Sequence, residues 1–238
     1  GLRYLLLSVV GATAYLGGVA LFYAATGSLR LDAFAAAPVG PVTLAGITLV
    51  LVGLLLKAAI FPLHGWLPPA HGRAPGPVSA ILSAVVVKAA LYLIWRWLEA
   101  LPPGLVPMTE VLALAGGGAV LWGSLQALRV GRLKAIVAYS TVAQLGYLTI
   151  GLALAQHSPL AAVGVAWLAL THALAKAAAF LAAANVVRAA GHDRWPGAAA
   201  ALRGQPLSLL TFALAAISLA GLPPSGGFVA KWYLMAAA

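Results

Sequence analysis

Residues 57–71 read KAAIFPLHGWLPPAH and end an apolar run that begins near Val42. The prolines in this segment remove backbone donors and clash with the preceding turn, so a continuous helix cannot pass through it. A second apolar run, from about Leu207, is broken in the same way by GLPPSGG at residues 221–227. Broken helices are tolerated in a membrane where they are buried or line a water-filled cavity, and a pair of them in two halves of a chain indicates a transporter's ion site. The alternative is that the prolines only kink helices that face lipid.

The composition predicts that the chain lies in a membrane. Of its 238 residues, 63% are hydrophobic and 8% are charged, whereas a soluble domain carries about a quarter charged residues. The net charge of +10 arises from basic residues that are scattered between and within the apolar runs. That is the pattern of membrane topology, and it argues against a nucleic-acid partner. The absence of cysteine excludes a disulfide framework, thiolate-bound zinc and cysteine-bound iron–sulfur clusters. Because the chain starts at Gly1 without a methionine and stops with no polar tail, we expect an internal segment of a longer membrane protein.

Apolar runs of roughly 20 residues recur along the chain, and each is long enough to cross a hydrocarbon core of about 30 Å. They predict seven spans and therefore an all-α fold, a polytopic membrane helix bundle in which two helices are broken. The predicted spans cover about residues 4–25, 42–63, 78–98, 111–128, 133–155 and 160–187, with a broken seventh span over about 207–231.

The charges between the spans predict the orientation of the chain. When the loops are assigned to alternating sides, one side receives Arg30 and Arg96. The other side receives eight basic residues: Arg3, Arg73, Arg129, Arg132, Lys134, Arg188, Arg194 and Arg203. Lys and Arg are enriched in cytoplasmic loops, so we expect the Arg3 end of the first helix to be cytoplasmic.

Four lysines lie inside predicted spans that contain no acidic residue: Lys57, Lys88, Lys176 and Lys231. A charge at bilayer depth is costly, and such residues are rare and tend to mark an ion or proton path. At about 1.5 Å per residue, Lys57 and Lys88 are expected within a helix turn or two of each other in depth. Burial beside a like charge would let one of them exchange a proton near neutral pH. The alternative, that a lysine snorkels to the interface, fits Lys57 better than the central Lys88.

Two further groups of polar side chains occur at helical spacing. His172 and Lys176 are four residues apart and share a helix face. A histidine titrates near neutral pH and can bridge proton steps, although a lone buried histidine is more often structural. Ser140, Gln144 and Tyr147 form a stripe on the fifth predicted span, where they would order water or hydrogen-bond to neighbouring helices.

His64 and His71 flank the sequence WLPP in the first break. Their spacing fits no zinc pattern and no carboxylate lies nearby, so we expect no metal and a place at the mouth of a water path or within it. The sequence has no nucleotide-binding loop, no haem-type histidine pair across spans and no Ser-His-Asp set. We therefore expect no cofactor and no redox or catalytic centre of the chain's own, and we rank a membrane enzyme last among the possible functions.

Five motifs, in order along the chain, resemble those of one family. Residues 57–71 are similar to a family stretch in which a lysine precedes P-x-H-x-W-L-P-D-A-H, with Pro69 in place of the usual aspartate. The other four are listed with the patterns they resemble: residues 74–80 (A-P-x-P-V-S-A), 133–147 (L-K-x-x-x-A-Y-S-T-x-x-Q-x-G-Y), 172–176 (H-x-x-x-K) and 221–231 (G-x-P-P-x-x-G-F-x-x-K). These patterns are typical of the antiporter-like subunits of respiratory complex I and of the Mrp sodium/proton antiporters.

The resemblance implies two inverted five-helix repeats, each with a broken helix. Residues 1–98 would form the end of the first repeat and residues 109–238 most of the second. It also implies a glutamate on a helix that precedes the first one present here. The implied proton path contains five side chains: Lys57 in the first half-channel, Lys88 as the relay, His172 and Lys176 next, and Lys231 as the terminal lysine.

The function implied by the resemblance is proton translocation along buried lysines, histidine and water. The subunit would belong to an NADH:quinone oxidoreductase-type complex, or to an Mrp-type complex that exchanges protons for sodium. Its partners would be other membrane subunits, the lipid bilayer, and protons or sodium, in the cytoplasmic membrane of a bacterium or archaeon. The competing hypothesis is a structural membrane subunit whose lysines pair with carboxylates of neighbouring chains.

Overall fold

The computed structural model describes residues 2–35, 37–101 and 107–238. The regular elements in these ranges are helices: α1 (Leu2–Thr26), α2 (Leu31–Ala35), α3 (Pro41–Lys57), α4 (Leu67–Arg73), α5 (Gly76–Ile81), α6 (Val87–Ala100), α7 (Met108–Arg129), α8 (Leu133–Ala155), α9 (Pro159–Ala190), α10 (Gly197–Leu202), α11 (Pro206–Ala220) and α12 (Gly226–Ala236). A 3₁₀ turn (Leu63–Trp66) precedes α4, and a π-helical turn (Leu82–Val86) joins α5 to α6.

Five helical segments of the described chain are long and apolar enough to cross a membrane: α1, the run from Gly76 to Ala100, α7, α8 and α9. Two shorter apolar helices, α3 and α11, each end at one of the two predicted breaks. The predicted all-α bundle with two broken helices is therefore confirmed. The division of the chain into two inverted repeats stays a prediction.

The first break begins directly after Lys57, the last residue of α3. Ala59 has a φ of +54°, a left-handed conformation that residues with a Cβ seldom adopt, so the helix stops here. In the turn that follows, the Nε1–H of Trp66 donates to the carbonyl oxygen of Leu56 at 2.9 Å, and this hydrogen bond is buried. The indole thus fixes the end of α3 against the start of α4.

The second break follows Ala220, the last residue of α11. Gly221 has a φ of +78°, which costs little only for a residue without a Cβ, and its N–H donates to the carbonyl of Ile217 at 3.1 Å. The chain re-enters a helix after Ser225, whose hydroxyl accepts from the Phe228 N–H at 3.3 Å. This N-cap satisfies one of the free N–H groups at the start of α12.

Two pairs of helices pack with their backbones in close contact, α1 with α3 and α7 with α8. A Cβ added to Gly18 of α1 would lie 2.6 Å from the carbonyl oxygen of Gly46 in α3. A Cβ added to Gly146 of α8 would lie at the same distance from the carbonyl oxygen of Gly116 in α7. Small residues at these contacts let membrane helices approach closely, where van der Waals packing holds them together.

Helices α8 and α9 occupy the centre of the second half of the bundle. α8 contacts α4, α7 and α9, and α9 also contacts α5, α11 and α12. α8 also carries the predicted stripe of Ser140, Gln144 and Tyr147, and its Gln144 side chain is buried. Large apolar side chains such as Leu114, Leu121 and Leu128 of α7 are exposed on the outside of the bundle.

On the basic side, an ion pair and two backbone hydrogen bonds join the start of α8 to the segment that follows α9. Arg132 donates through Nε to both carboxylate oxygens of Asp193, at 3.1 and 2.9 Å. The Leu133 N–H donates to the Asp193 carbonyl at 2.8 Å, and the Trp195 N–H donates to the Gly131 carbonyl at 3.0 Å. These contacts fix the start of α8 against the segment between α9 and α10.

On the opposite side, Arg30 donates to the carboxylate of Asp32, with a closest distance of 2.7 Å. This hydrogen bond and the positive charge hold the pKa of the exposed Asp32 carboxyl below its usual range. Arg96 and Glu99 form a second exposed ion pair at 2.9 Å.

Candidate proton path

Lys176 lies at the interface of α9 and α8 and has no solvent-exposed surface. Its Nζ donates to the carbonyl oxygen of Val137 at 2.8 Å and to the hydroxyl of Ser140. Both acceptors belong to the second turn of α8. A buried ammonium needs such partners, because losing its hydration without them costs many kcal/mol. The stripe predicted on α8 therefore includes a direct partner of a buried lysine.

Lys88 follows the π-helical turn in the middle of its span. In this turn the Val87 N–H bonds to the carbonyl of Leu82, five residues back, and the side chain of Lys88 donates to the carbonyl oxygen of Ser83. The Ser83 hydroxyl lies 3.2 Å from the Thr141 hydroxyl on α8. Isolated π-turns inside helices are frequent at functional sites. Here the turn connects the Lys88 amine to α8 through one serine and one threonine.

The carbonyl oxygen of Val137 on α8 links Thr141 to Lys176, because both side chains donate to it. The Thr141 hydroxyl donates to the Val137 carbonyl at 3.1 Å, and Ser140 donates to the same carbonyl at 2.9 Å. Lys176 uses that carbonyl as well. A run of polar contacts thus leads from Lys88 to Lys176 through Ser83 and Thr141.

Lys231 lies beside the second break. Its Nζ donates to the carbonyls of Leu219 and Ala220 at 2.9 and 3.1 Å and sits 4.6 Å from the centre of the Tyr147 ring. The end of α11 provides these two carbonyls because the helix stops there. The Gln144 Nε2 of α8 donates to the same Leu219 carbonyl at 2.7 Å. Lys231 is therefore attached to α8 by a shared acceptor and by a cation–π contact.

Gly221 makes room for this lysine. A Cβ at position 221 would lie 2.8 Å from the Cδ of Lys231. The glycine therefore serves two purposes, since it permits the left-handed turn of the break and lets the lysine side chain lie across it.

His172 lies on α9, one helical turn before Lys176. It is 1% exposed, and neither ring nitrogen has a hydrogen-bond partner in the described part of the protein. Buried polar side-chain atoms are usually hydrogen-bonded, so this ring is an exception that the packing of the described helices does not satisfy.

His71 is a second fully buried histidine whose two ring nitrogens have no protein partner among the described residues. Its ring stacks on Phe180 of α9, with ring centres 4.7 Å apart. The Ser79 hydroxyl donates to the His71 carbonyl at 3.0 Å. His71 thus lies between the first break and α9, on the path's basic side.

Lys134 is a buried lysine of the basic side, where the sequence suggested only a loop charge. Its amine donates to the carbonyl oxygen of Ala74, in the turn between α4 and α5. This contact joins the start of α8 to the end of the first break.

Two predicted residues stand apart from the lysine cluster. Lys57 is exposed on the surface of the described chain, where its side chain runs beside Gly11 of α1. His64 lies in the first break, stacked on Phe61 with ring centres 5.4 Å apart. Within the described ranges, no hydrogen bond joins either side chain to Lys88.

The sequence identified the amines but missed several groups that connect them. Ser83 and Thr141 carry the contact from Lys88 to α8. The carbonyls of Val137 and Leu219 each accept from more than one donor. A broken helix leaves its last carbonyls without intrahelical donors, so the second break could have indicated the Leu219 carbonyl as an acceptor. No pattern in the sequence marks the carbonyl of Val137.

Comparisons with known proteins show which family the chain resembles. The family model described as "NADH:quinone oxidoreductase/Mrp antiporter, TM" matches residues 1–238. The chain is 38% identical to NADH-quinone oxidoreductase subunit N of Desulforudis audaxviator over 242 residues, which cover 98% of this chain and 48% of that protein.

Two solved structures have the same fold. A chain of an archaeal membrane-bound sulfane sulfur reductase superposes with a TM-score of 0.89 at 30% identity, over 99% of this chain and 49% of that one. A chain of the Mrp complex from Dietzia sp. superposes with a TM-score of 0.86 at 31% identity, over 98% and 44%. The chain thus spans about half the length of the relatives it matches.

Proposed function

The chain belongs to the transmembrane family of NADH:quinone oxidoreductase and Mrp antiporter subunits and is an integral membrane protein, and from this premise we propose that it translocates protons. The observation that carries the proposal is the row of three amines along one face of α8, of which Lys176 is fully buried and Lys88 and Lys231 are partly buried. Lys88 reaches α8 through Ser83, Lys176 bonds to it directly, and Lys231 shares an acceptor with it.

In the proposed mechanism, protons move between the amines along α8. An ammonium at Lys176 is held by a carbonyl and a hydroxyl, so the site can accept a proton despite its burial. The ring of His172, one helical turn before Lys176 on α9, bridges the proton steps between the amines in this mechanism.

Lys57 remains in the proposal because of its place in the family motif. Lys57 is the last residue of α3, directly before the first break, and Lys231 lies beside the second break. An exposed amine at this depth needs a counter-charge or water, since a charge facing hydrocarbon is costly. We expect a carboxylate of the complete protein or its complex to lie against it.

Replacing Lys176 with methionine tests the proposal. Methionine fills a similar volume without a charge, so the interface of α8 and α9 should stay packed. In proteoliposomes containing the full-length protein or its complex, we expect proton flux under an imposed potential to fall at least tenfold, a barrier increase of about 1.4 kcal/mol. Lys88→Ala should have the same effect. Arg203→Gln, at an exposed position outside the path, is the matched control.

The competing hypothesis, a structural subunit, predicts a different result in the same variants. If Lys176→Met or Lys88→Ala prevents assembly of the complex while the assembled fraction keeps normal flux, the lysines hold subunits together and the transport proposal is wrong. Native gel electrophoresis of the same preparations measures assembly. Radioactive sodium uptake, measured beside proton flux, distinguishes exchange with sodium from proton movement alone.

We also propose the orientation and the repeat structure suggested by the sequence, with the basic loops in the cytoplasm of a bacterium or archaeon. In this orientation, α3 runs from the outer side to its break, and α11 runs from the cytoplasmic side to its break. The two broken helices therefore point in opposite directions, as expected for inverted repeats over residues 1–98 and 109–238. The protein has no cysteine, so single-cysteine variants can report sidedness. A membrane-impermeant maleimide should label Gly40→Cys from outside and Gln205→Cys only from the cytoplasmic side; labelling of both from one side would contradict the inversion.

A further inference from the structure

A cavity of about 460 Å³ lies between the start of α1 and α4, on the side where basic residues concentrate. Arg3 and Arg73 line it, together with Tyr4 and Trp66. The two rings are in contact, with centres 5.2 Å apart. Since the indole N–H of Trp66 already bonds to the end of α3, the ring faces the cavity as an apolar surface.

Among the described residues, none that lines this cavity carries a carboxylate. The chain has four acidic residues, and in its described part three of them are paired with other arginines: Asp32 with Arg30, Glu99 with Arg96, and Asp193 with Arg132. Arg3 and Arg73 take part in none of the salt bridges found among the described residues. Their two positive charges therefore suit an anion that comes from outside the chain.

An apolar groove continues from the cavity. A second cavity of about 240 Å³ shares Tyr4 and Arg73 with the first and extends past Val78 and Leu82, on the helical run that leads into the membrane. Val78 is 48% exposed, so the wall of the groove is open to an apolar occupant. One end of the combined site is thus cationic with aromatic rings, and the other end is aliphatic.

We propose that this site binds an anionic glycerophospholipid, with its phosphate between Arg3 and Arg73 and an acyl chain along Val78 and Leu82. Basic pockets on the cytoplasmic side of helix bundles attract such headgroups, and aromatic side chains prefer the membrane interface. A free phosphate would use the arginines and leave the groove empty. Because the cationic end opens directly onto an aliphatic groove, the site matches the whole lipid.

Lipid retention by the full-length protein tests the proposal. The protein is delipidated, reconstituted in nanodiscs of phosphatidylcholine with a minor fraction of phosphatidylglycerol, and analysed by native mass spectrometry. We expect the double variant Arg3→Gln, Arg73→Gln to bind phosphatidylglycerol roughly thirtyfold more weakly, because two basic side chains at an anionic headgroup are removed. The control Arg188→Gln, Arg203→Gln removes two exposed charges of the same side, outside the site, and should retain the lipid. Equal retention in the two double variants overturns the proposal.

A variant of the groove distinguishes a lipid from a free phosphate. Val78→Trp fills the aliphatic end, so phosphatidylglycerol retention should fall while the arginines are unchanged. If inorganic phosphate displaces the lipid completely and Val78→Trp has no effect, the site takes phosphate alone and the proposal fails. It also fails if no lipid is retained and the arginine variant disrupts assembly on a native gel, because a protein segment then covers the site. Neither result bears on proton transport, since no flux is measured.

Discussion

The run Gly116-Gly117-Gly118 in α7 allows a sharp test of the packing that holds α8 in place. A Cβ on Gly116 would lie 2.7 Å from Cγ1 of Ile150 and 2.8 Å from the carbonyl oxygen of Gly146, both in α8. A Cβ on Gly117 would meet no atom within 4 Å. The two neighbours therefore differ in environment but have the same helical backbone.

The expected effects of alanine at these two positions have opposite signs. At Gly117 the substitution removes the entropic penalty of glycine in a helix, so the protein should gain about 0.5–1 kcal/mol. At Gly116 the same gain is outweighed by overpacking, which typically costs about 1–3 kcal/mol. Backbone atoms are the obstacle here, so α7 and α8 have to move apart as whole helices. The entropic gain is the same in both variants and cancels when they are compared. Gly117→Ala should therefore be more stable than Gly116→Ala by the overpacking cost, about 1–3 kcal/mol.

Thermal unfolding of the two purified variants in the same detergent measures this difference. For a chain of this size, each kcal/mol shifts the midpoint by about 2–4 °C. Gly116→Ala should unfold below the parent protein, and Gly117→Ala at or slightly above it. If the two variants unfold together, the backbones of α7 and α8 are not in contact at this level, and the placement of the α8 polar face described above is wrong.

Three further predictions concern the loops and the first break. Asp193→Asn should cost less than about 1 kcal/mol, because its partner Arg132 is half exposed, and chemical unfolding measures the loss. Arg30→Gln should raise the pKa of Asp32 towards its usual range, since the hydrogen bond from the guanidinium is lost; a carboxyl titration followed by NMR that shows no change would contradict this. Trp66→Phe should destabilise the protein by about 0.5–1.5 kcal/mol, because the Leu56 carbonyl loses the indole donor and keeps the Ala59 N–H; Trp122→Phe, on the exposed surface of α7, should not.

The helices and their breaks could be predicted from the sequence because both depend on local chemistry. The sequence predicts α8 over residues 133–155, and the helix has those bounds, since its apolar run begins after the basic residues Arg129 and Arg132 and ends at the polar residues 156–158. The breaks at Lys57 and Gly221 follow from proline and glycine, which act on their own turn wherever it is placed. The lysines at depth were visible because a charge in an apolar run is conspicuous.

The contacts between the amines could not be predicted in the same way. Ser83 and Thr141 are 58 residues apart and meet only because α5 and α6 are joined by a π-turn that no sequence pattern announced. Lys57 and Lys88 have the same signature in the sequence, yet Lys57 is exposed and Lys88 is partly buried and bonded to Ser83. Burial of a side chain depends on which helices surround it, and periodicity contains no such information.

The sequence by itself determined the membrane setting, the places where helices break and the identity of the amines, because each is set by the free energy of a residue in its own segment. The tertiary structure decided which amines are connected to α8, which histidines are fully buried and where an open cationic cavity remains. Those features depend on hydrogen bonds and packing between segments far apart in the chain, and only the assembled bundle brings these segments together.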